Sequence, residues 1–181
     1  MIHKYPYRIY KPGIKQFPDY LRPYIQLVDQ DEGFSALMDS AVKVFDTMSI
    51  LSPKDLKHRY QDDKWSIEEV LLHIIDNERI FQNRALRISR NEPRALSGYD
   101  QDRYVRALPD INRSIESLRD EYEAVRKSTF LLYAGLTKVE MKKEGKVGKN
   151  IITLPSIPFI IAGHDLHHLK IFKENYGIQV N

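Results

Sequence analysis

The chain has 181 residues, of which 42% are hydrophobic and 29% are charged, and it contains no cysteine. This length and composition are typical of one globular domain with a substantial core, and the missing thiols exclude disulfides, cysteine nucleophiles and thiolate metal sites. The formal net charge is only +3, and basic residues alternate with acidic ones, so the composition does not indicate nucleic-acid binding. No run of about 18 apolar residues is present, so we expect no membrane partner.

Residues 1–30 are predicted to form an extended N-terminal arm. Four of the nine prolines, Pro6, Pro12, Pro18 and Pro23, lie there and exclude a long helix. The same segment is rich in tyrosine, so we expect it to pack on the rest of the chain or on a partner subunit. Because its start lacks the apolar stretch of a secretion signal, we expect a cytoplasmic location.

Two amphipathic helices are predicted next. The first has an apolar stripe over residues 34–51, with residues three and four apart, and ends before Pro53. The second opens with Ser66 and Glu69, which have the spacing of a capping box, and runs to about Arg90. Both patterns are those of helices that bury one face.

Two further helices complete the pattern. The third is predicted to start after Pro109, with Asp110 as its N-cap, and to run to Gly135. The fourth spans about residues 155–176. Between them, residues 137–154 contain two glycines and are predicted to be a short hairpin or a basic loop.

These segments predict an all-α protein: a four-helix bundle with an extended N-terminal arm and a short hairpin or loop before the last helix. The arm would cover residues 1–30 and the bundle domain residues 31–181. Residues 91–109 are long enough to cross over one end of the bundle.

Three histidines are the most informative residues. His164 and His168 fall on the apolar stripe of the last helix, His167 falls at its flank, and His73 lies on the apolar stripe of the second helix. Two histidines four residues apart can reach one ion, and a third from a facing helix completes an open three-nitrogen site for Zn, Ni, Cu or Fe. Since a lone buried histidine is more often a satisfied core residue, the hypothesis requires all three to converge.

Other polar residues accompany this predicted site. Asn77 and Arg84 share the face of His73, so they either line a substrate pocket or belong to an internal polar network. Asp76 and His167 are candidates to orient a ligand ring or to carry a proton. No catalytic acid or base can be named. His3 and His58 lack such a context and are expected to be exposed.

Several motifs together resemble one known family. They cover roughly residues 20–176, and their order makes the resemblance more specific than any one of them. The motifs are Tyr24-Ile25-x-Leu27-Val28, Trp65-Ser66-x-x-Glu69-Val70-x-x-His73, Asp76-x-Glu78-Arg79, Arg84-Ala85-Leu86-Arg87, Gly98-Tyr99-Asp100-Gln101-Asp102 and Ile161-Ala162-Gly163-His164-Asp165-x-His167-His168. In this combination they resemble the DinB-like (DinB/YfiT-like) superfamily of metalloenzymes.

The resemblance implies a four-helix bundle that binds a divalent metal, usually Zn or Ni, through three histidines near one end. The matching positions are His73, His164 and His168. It also implies a homodimer. A second apolar face on the last helix, formed by Phe159, Leu166 and Leu169, is expected to bury against either the N-terminal arm or a twin subunit. The sequence departs from the family pattern at Pro155 and Pro158, which puts the start of the last helix in doubt.

Relatives of this kind include thiol S-transferases that use bacillithiol or mycothiol, proteins similar to maleylpyruvate isomerases, and many without an assigned reaction. The leading hypothesis is therefore a divalent-metal-dependent enzyme with S-transferase-like or hydrolase-like activity on a small molecule, with a low-molecular-weight thiol as an additional cofactor in the first case. The alternative is a non-catalytic structural or stress-response bundle that binds metal. Nucleic-acid binding through residues 138–149 is not expected, because Glu140 and Glu144 interrupt the basic run.

Overall fold

The computed structural model describes residues 7–108 and 111–180. Its helices and strands, apart from two short 3-10 turns, are α1 (Arg22–Gln26), α2 (Gly33–Ile50), α3 (Pro53–Leu56), α4 (Ile67–Ser89), α5 (Gln101–Arg106), α6 (Ile115–Ala134), β1 (Glu144–Val147), β2 (Asn150–Thr153) and α7 (Ser156–Asn175). The four long helices confirm the predicted bundle. Both α2 and α4 pack against α6 and α7.

The predicted signals at the ends of α2 and α4 are confirmed. The Ser66 hydroxyl accepts a hydrogen bond from the backbone N–H of Glu69, and the Glu69 carboxylate accepts one from the N–H of Ser66. Helix α2 ends at Ile50, and its predicted apolar stripe is buried. Two orphan donors at the start of α4 are thus satisfied within one turn.

Helix α6 begins later than predicted. Its first residue is Ile115, and the Ser114 hydroxyl accepts a hydrogen bond from the N–H of Ser117. The predicted start after Pro109 is therefore wrong, and the predicted cap, Asp110, lies outside the described residues. The physical reason is that Ser114 supplies its own cap, while Arg113 folds back onto Ser117 and keeps the preceding residues out of the helix.

The two prolines near the start of α7 do not disturb it. Pro155 occupies the N-cap position and Pro158 lies in the first turn. The first backbone N–H groups of a helix have no intrahelical acceptor, so a proline there removes no hydrogen bond.

The arm packs on the bundle, but it is not extended throughout. A 3-10 turn at Asp19–Leu21 leads into α1, whose first turn contains Pro23. Ile9, Phe17 and Ile25 are buried against the bundle. Proline therefore starts a short helix here rather than preventing one. His3 and Pro6 lie outside the described residues.

The segment before α7 is an antiparallel hairpin, one of the two predicted alternatives. Val147 pairs with Asn150 across a two-residue turn in which Gly148 has a φ of +58°, a value that glycine adopts without strain. Leu96 forms an isolated parallel bridge to Val147. This bridge ties the crossover between α4 and α6 to the hairpin.

Two apolar clusters fill the bundle, with a polar layer between them. One cluster joins the arm, the hairpin and the first half of α7, and the other joins the second halves of α2 and α7 to the first half of α4. The buried side chains of the polar layer are Ser40, His73, Asn77, Glu78, Arg126, Thr129, His164, Asp165 and His168. The three histidines thus lie at mid-bundle, not near one end as the resemblance implied.

The second apolar face of α7 is covered within the chain. Phe159 and Leu169 are buried, and Leu166 contacts both apolar clusters. This face therefore packs within the chain, in part against the cluster that contains the N-terminal arm, which was one of the two predicted alternatives. Among the helices of residues 7–108 and 111–180, none has the length and apolarity needed to cross a bilayer.

The contact of α1 with α7 depends on a glycine. A Cβ atom at Gly163 would lie 2.1 Å from the carbonyl oxygen of Tyr24. Because the obstacle is backbone, a side-chain rotation cannot relieve it. Glycine at this position lets α1 approach α7 directly beside His164.

We predict that Gly163→Ala lowers the free energy of unfolding by about 2 kcal/mol or more, because the added methyl group overpacks a helix contact. Denaturant unfolding measures the loss, and limited trypsin digestion at the exposed Lys15 reports the displaced arm. Gly135→Ala is the matched control, since its Cβ would meet only ordinary contacts at 3.5 Å. Equal stability of the two variants would contradict the assigned role of Gly163.

Candidate metal centre

The three predicted histidines converge. The Nε2 atom of His164 lies 3.0 Å from Nε2 of His73 and 3.2 Å from Nε2 of His168. One ligand atom from each ring lies within 4.8 Å of the other two. All three are buried: His73 is 3% exposed, His164 is 4% exposed and His168 is 8% exposed. Helices α4 and α7, which pack against each other, carry them.

These distances fit a shared metal ion. Nitrogen ligands bind Zn at about 2.0–2.1 Å, so two of them lie about 2.9–3.4 Å apart for bond angles between right-angled and tetrahedral. The only donors in the cluster are imidazole nitrogens, a set that suits Zn or Ni. The buried Nδ1 of His168 has no hydrogen-bond partner among the described residues.

Burial holds the three rings in the neutral form that binds metals. It lowers the pKa of His73 to about 4, with a smaller effect from His167. It also lowers the pKa values of His164 and His168 well below the usual range, and the other histidines add to the effect. At neutral pH the nitrogen lone pairs are therefore available.

A cavity of about 320 Å³ opens beside His164. Aromatic and polar side chains dominate its wall, and Asn77 and Arg84 are among them, as one of the predicted alternatives stated. The principal lining residues are Tyr20, Tyr24, Asn77, Phe81, Arg84, Tyr99 and His164. A histidine of the cluster thus borders a space large enough for a small molecule.

Asn77 and Arg84 are both only 6% exposed, and neither is fully satisfied. The Asn77 side-chain amide donates to the Tyr99 hydroxyl at 2.6 Å, while its Oδ1 has no partner. The Arg84 guanidinium donates to the carbonyl of Ser97 at 3.2 Å, while its Nε has no partner. Unsatisfied buried groups that border a cavity indicate a ligand site.

Asp76 and His167 lie at the margin of the cluster. His167 is half-buried, and its ring centroid lies 5.1 Å from those of Tyr24 and His168. Burial lowers its pKa, with a smaller effect from Lys170. Asp76 is half-buried and pairs with Arg79 at 3.5 Å. Within the described residues, neither side chain forms a hydrogen bond to the three histidine rings, so their ligand-orienting roles stay predictions.

Tyr24 and Tyr99 border the site and were not among the predicted residues. The ring of Tyr24 lies edge-on to His164, with centroids 5.5 Å apart, and Tyr99 holds Asn77. Tyr99 belongs to the glycine–aromatic–aspartate motif, which was a signal for it. Tyr24 opens another motif of the resemblance, Tyr24-Ile25-x-Leu27-Val28, and the close approach at Gly163 brings it beside His164. His58, as predicted, is exposed.

The largest feature missed in the sequence is a buried ion network in the polar layer. The Arg126 guanidinium, on α6, donates to both carboxylate oxygens of Glu78 on α4 at 2.9–3.0 Å and to Asp165 on α7 at 2.6 Å. On α2 it donates to the Ser40 hydroxyl at 2.9 Å and to the carbonyl of Leu37 at 2.5 Å. One side chain therefore contacts all four long helices.

The acids of this network flank the histidine cluster. Asp165 follows His164 directly and also accepts hydrogen bonds from Ser40 at 2.8 Å and from the Tyr122 hydroxyl at 2.9 Å. Burial raises the pKa of Glu78, and the attraction of Arg126 only partly offsets that effect. Glu78 and Asp165 both lie in quoted motifs, and a basic residue at a core position of α6 was the remaining signal.

Comparisons with known proteins agree with this architecture. The model of the DinB superfamily matches residues 38–172, and the chain belongs to that superfamily. No curated protein matches the chain. Among solved structures, the chain is similar to YfiT from Bacillus subtilis, with a TM-score of 0.66 and 20% identity over 99% of this chain and 100% of YfiT. YfiT is described as a probable metal-dependent hydrolase with an unusual four-helix bundle topology. At this identity the likeness concerns the fold.

We predict that Arg126→Met lowers the free energy of unfolding by about 3–5 kcal/mol, because it leaves two buried carboxyl groups without their cation. Denaturant unfolding at neutral pH measures the loss. The control is Lys127→Met on the exposed side of α6, which should change stability by less than about 0.5 kcal/mol. Similar stabilities for both variants would show that the network does not hold the helices together.

A second prediction concerns acid. The pKa of His73 falls from 6.5 in the unfolded chain to about 4 in the folded protein, so below 6.5 the unfolded state binds the proton first. Metal-free protein should therefore lose a few kcal/mol of stability as the pH falls from about 6.5 to about 4. Unfolding curves measured in the presence of a chelator should show a shallower dependence of stability on pH for His73→Gln than for wild type. Identical slopes for the two proteins would be contrary to this account.

Proposed function

We propose that this protein is a metal-dependent hydrolase of small molecules, with one divalent ion held by Nε2 of His73, His164 and His168. The observation that carries the proposal is the convergence of three buried imidazoles beside a cavity of about 320 Å³. The description of YfiT as a probable metal-dependent hydrolase supports the same class of reaction. Zn and Ni both suit the three-nitrogen donor set.

The residues around the ion have separable tasks. A divalent ion bound by three histidines supplies Lewis acidity and lowers the pKa of water. The burial of the rings keeps them neutral, and the Arg126 network fixes the helices that carry them. Tyr24 and Tyr99 line the cavity that His164 borders. Asn77 and Arg84 offer polar groups that orient a substrate.

A purely structural metal site is the alternative that the cavity disfavours. A structural zinc site is usually closed by four protein ligands, whereas a catalytic site keeps a position for water or substrate. Within the described residues the cluster supplies three histidines, and one of them borders the cavity. An open site of this kind favours an enzyme.

Thiol transfer would use the same cavity with a low-molecular-weight thiol in place of water, and the activity test must separate the two. Metal-loaded protein is assayed against acyl esters and amides, with and without bacillithiol or mycothiol and an electrophile. Turnover with water alone, abolished by a chelator and restored by added metal, supports hydrolysis. Turnover that requires the thiol contradicts it. A homodimer stays a prediction.

We predict that His168→Ala reduces bound metal from about one ion per chain to a small fraction, because two nitrogens hold a divalent ion far more weakly than three. Elemental analysis after dialysis against limiting Zn measures the ratio. The control is His58→Ala, which removes an exposed histidine and should keep the full equivalent. Retention of the ion by His168→Ala would refute the ligand assignment.

A further inference from the structure

Arg84 is a buried cation without a counter-ion. It is 6% exposed, and within residues 7–108 and 111–180 its side chain donates one hydrogen bond, to the carbonyl of Ser97, while its Nε has no partner. Among the described residues no carboxylate pairs with it, and the charge lies 4.7 Å from the ring centroid of Phe81. An unpaired buried charge is costly, and Arg84 borders the cavity. An anionic ligand would supply the missing charge.

The neighbouring arginines are already neutralised. Arg79 pairs with Glu121 at 2.6 Å, and Arg87 pairs with Glu92 at 3.0 Å. Around this part of α4, the described residues therefore leave one positive charge to be balanced. One guanidinium matches one carboxylate in a bidentate pair, whereas a doubly charged phosphate would keep an excess negative charge in a largely buried space.

Asn77 lies on the same face, between Arg84 and the histidines. By helix geometry it is about 6 Å along α4 from His73 and about 10 Å from Arg84. Its buried Oδ1 has no donor. An acceptor at this place suits an N–H group of the ligand, because an unsatisfied buried acceptor costs free energy that a ligand donor recovers.

We propose that the substrates are N-acylated amino acids of small size, which deepens the proposed function and rests on it. The substrate carboxylate pairs with Arg84, the amide N–H donates to Oδ1 of Asn77, and the acyl carbonyl faces the histidines. In the reaction one water adds to the acyl carbon and the C–N bond breaks. The products are a carboxylic acid and a free amino acid, whose nitrogen takes a proton from the water.

The aromatic wall suggests the probe. Tyr24, Phe81 and Tyr99 line the cavity and offer faces for an apolar or aromatic acyl group. Hippurate (N-benzoylglycine) carries the carboxylate, the amide N–H and an aromatic acyl group. Its uncharged counterpart, N-benzoylglycinamide, differs in the carboxylate alone. Phenyl phosphate tests for a preference for a dianion.

The test is calorimetric titration of wild type, Arg84→Met, Arg84→Lys and Arg90→Met, each metal-loaded and metal-free. Hippurate should bind wild type at least about tenfold more tightly than the amide, a difference of about 1.4 kcal/mol. Arg84→Met should lose that preference, Arg84→Lys should keep part of it, and Arg90→Met, which removes an exposed arginine paired with Glu140, should keep it all. The melting temperature of Arg84→Met should equal or exceed that of wild type, because an unpaired buried charge is removed.

Other results would overturn the proposal. They are equal affinity of wild type for hippurate and its amide, an unchanged preference in Arg84→Met, or tighter Arg84-dependent binding of phenyl phosphate. Hydrolysis assays distinguish failure of the proposed hydrolase activity from failure of the carboxylate site at Arg84. Cleavage of the amide as fast as hippurate would support a hydrolase and overturn the carboxylate site. Arg84-dependent binding without any cleavage of hippurate by metal-loaded protein would overturn the hydrolase and leave the carboxylate site standing.

Discussion

The bundle depends on one guanidinium. Arg126 contacts side chains or carbonyls of α2, α4 and α7 from its own helix, α6. Because Glu78 lies five residues after His73 and Asp165 directly follows His164, the same ion network sets the rotation of the two helices that carry the histidines. A buried ion network contributes little net stability compared with apolar packing. Here its main effect is to fix the rotation of α4 and α7, so that the three histidines point at one another.

Burying the polar layer costs free energy unless its groups find hydrogen-bond partners, and this requirement explains which residues it contains. Apolar clusters lie on both sides, so every polar group between them must find a partner within the chain or in a ligand. On one side of the layer, the Arg126 network satisfies its own members. On the other side, His168 and Asn77 retain polar atoms without a partner among the described residues, and so does Arg84, which lies about two turns beyond the layer along α4. The layer is thus divided into a satisfied half that orients helices and an unsatisfied half that faces the cavity.

Helix periodicity predicted the four long helices and the inward direction of His73, His164 and His168. It could do so because the spacing of apolar residues indicates which face of a helix is buried. It could not predict the start of α6, where Ser114 caps the helix instead of a residue near Pro109. Nor could it predict Arg126, whose partners lie on three other helices. Tyr24 lies beside His164 because its backbone meets Gly163, a contact between distant segments that helix periodicity does not reveal.

The central claim is that three imidazoles share one ion. Anomalous diffraction from crystals of Zn- or Ni-loaded protein tests it most directly. The account predicts one anomalous peak about 2.0–2.2 Å from Nε2 of each of His73, His164 and His168. A peak coordinated elsewhere, or contacts to fewer than three of these nitrogens at full occupancy, would contradict it.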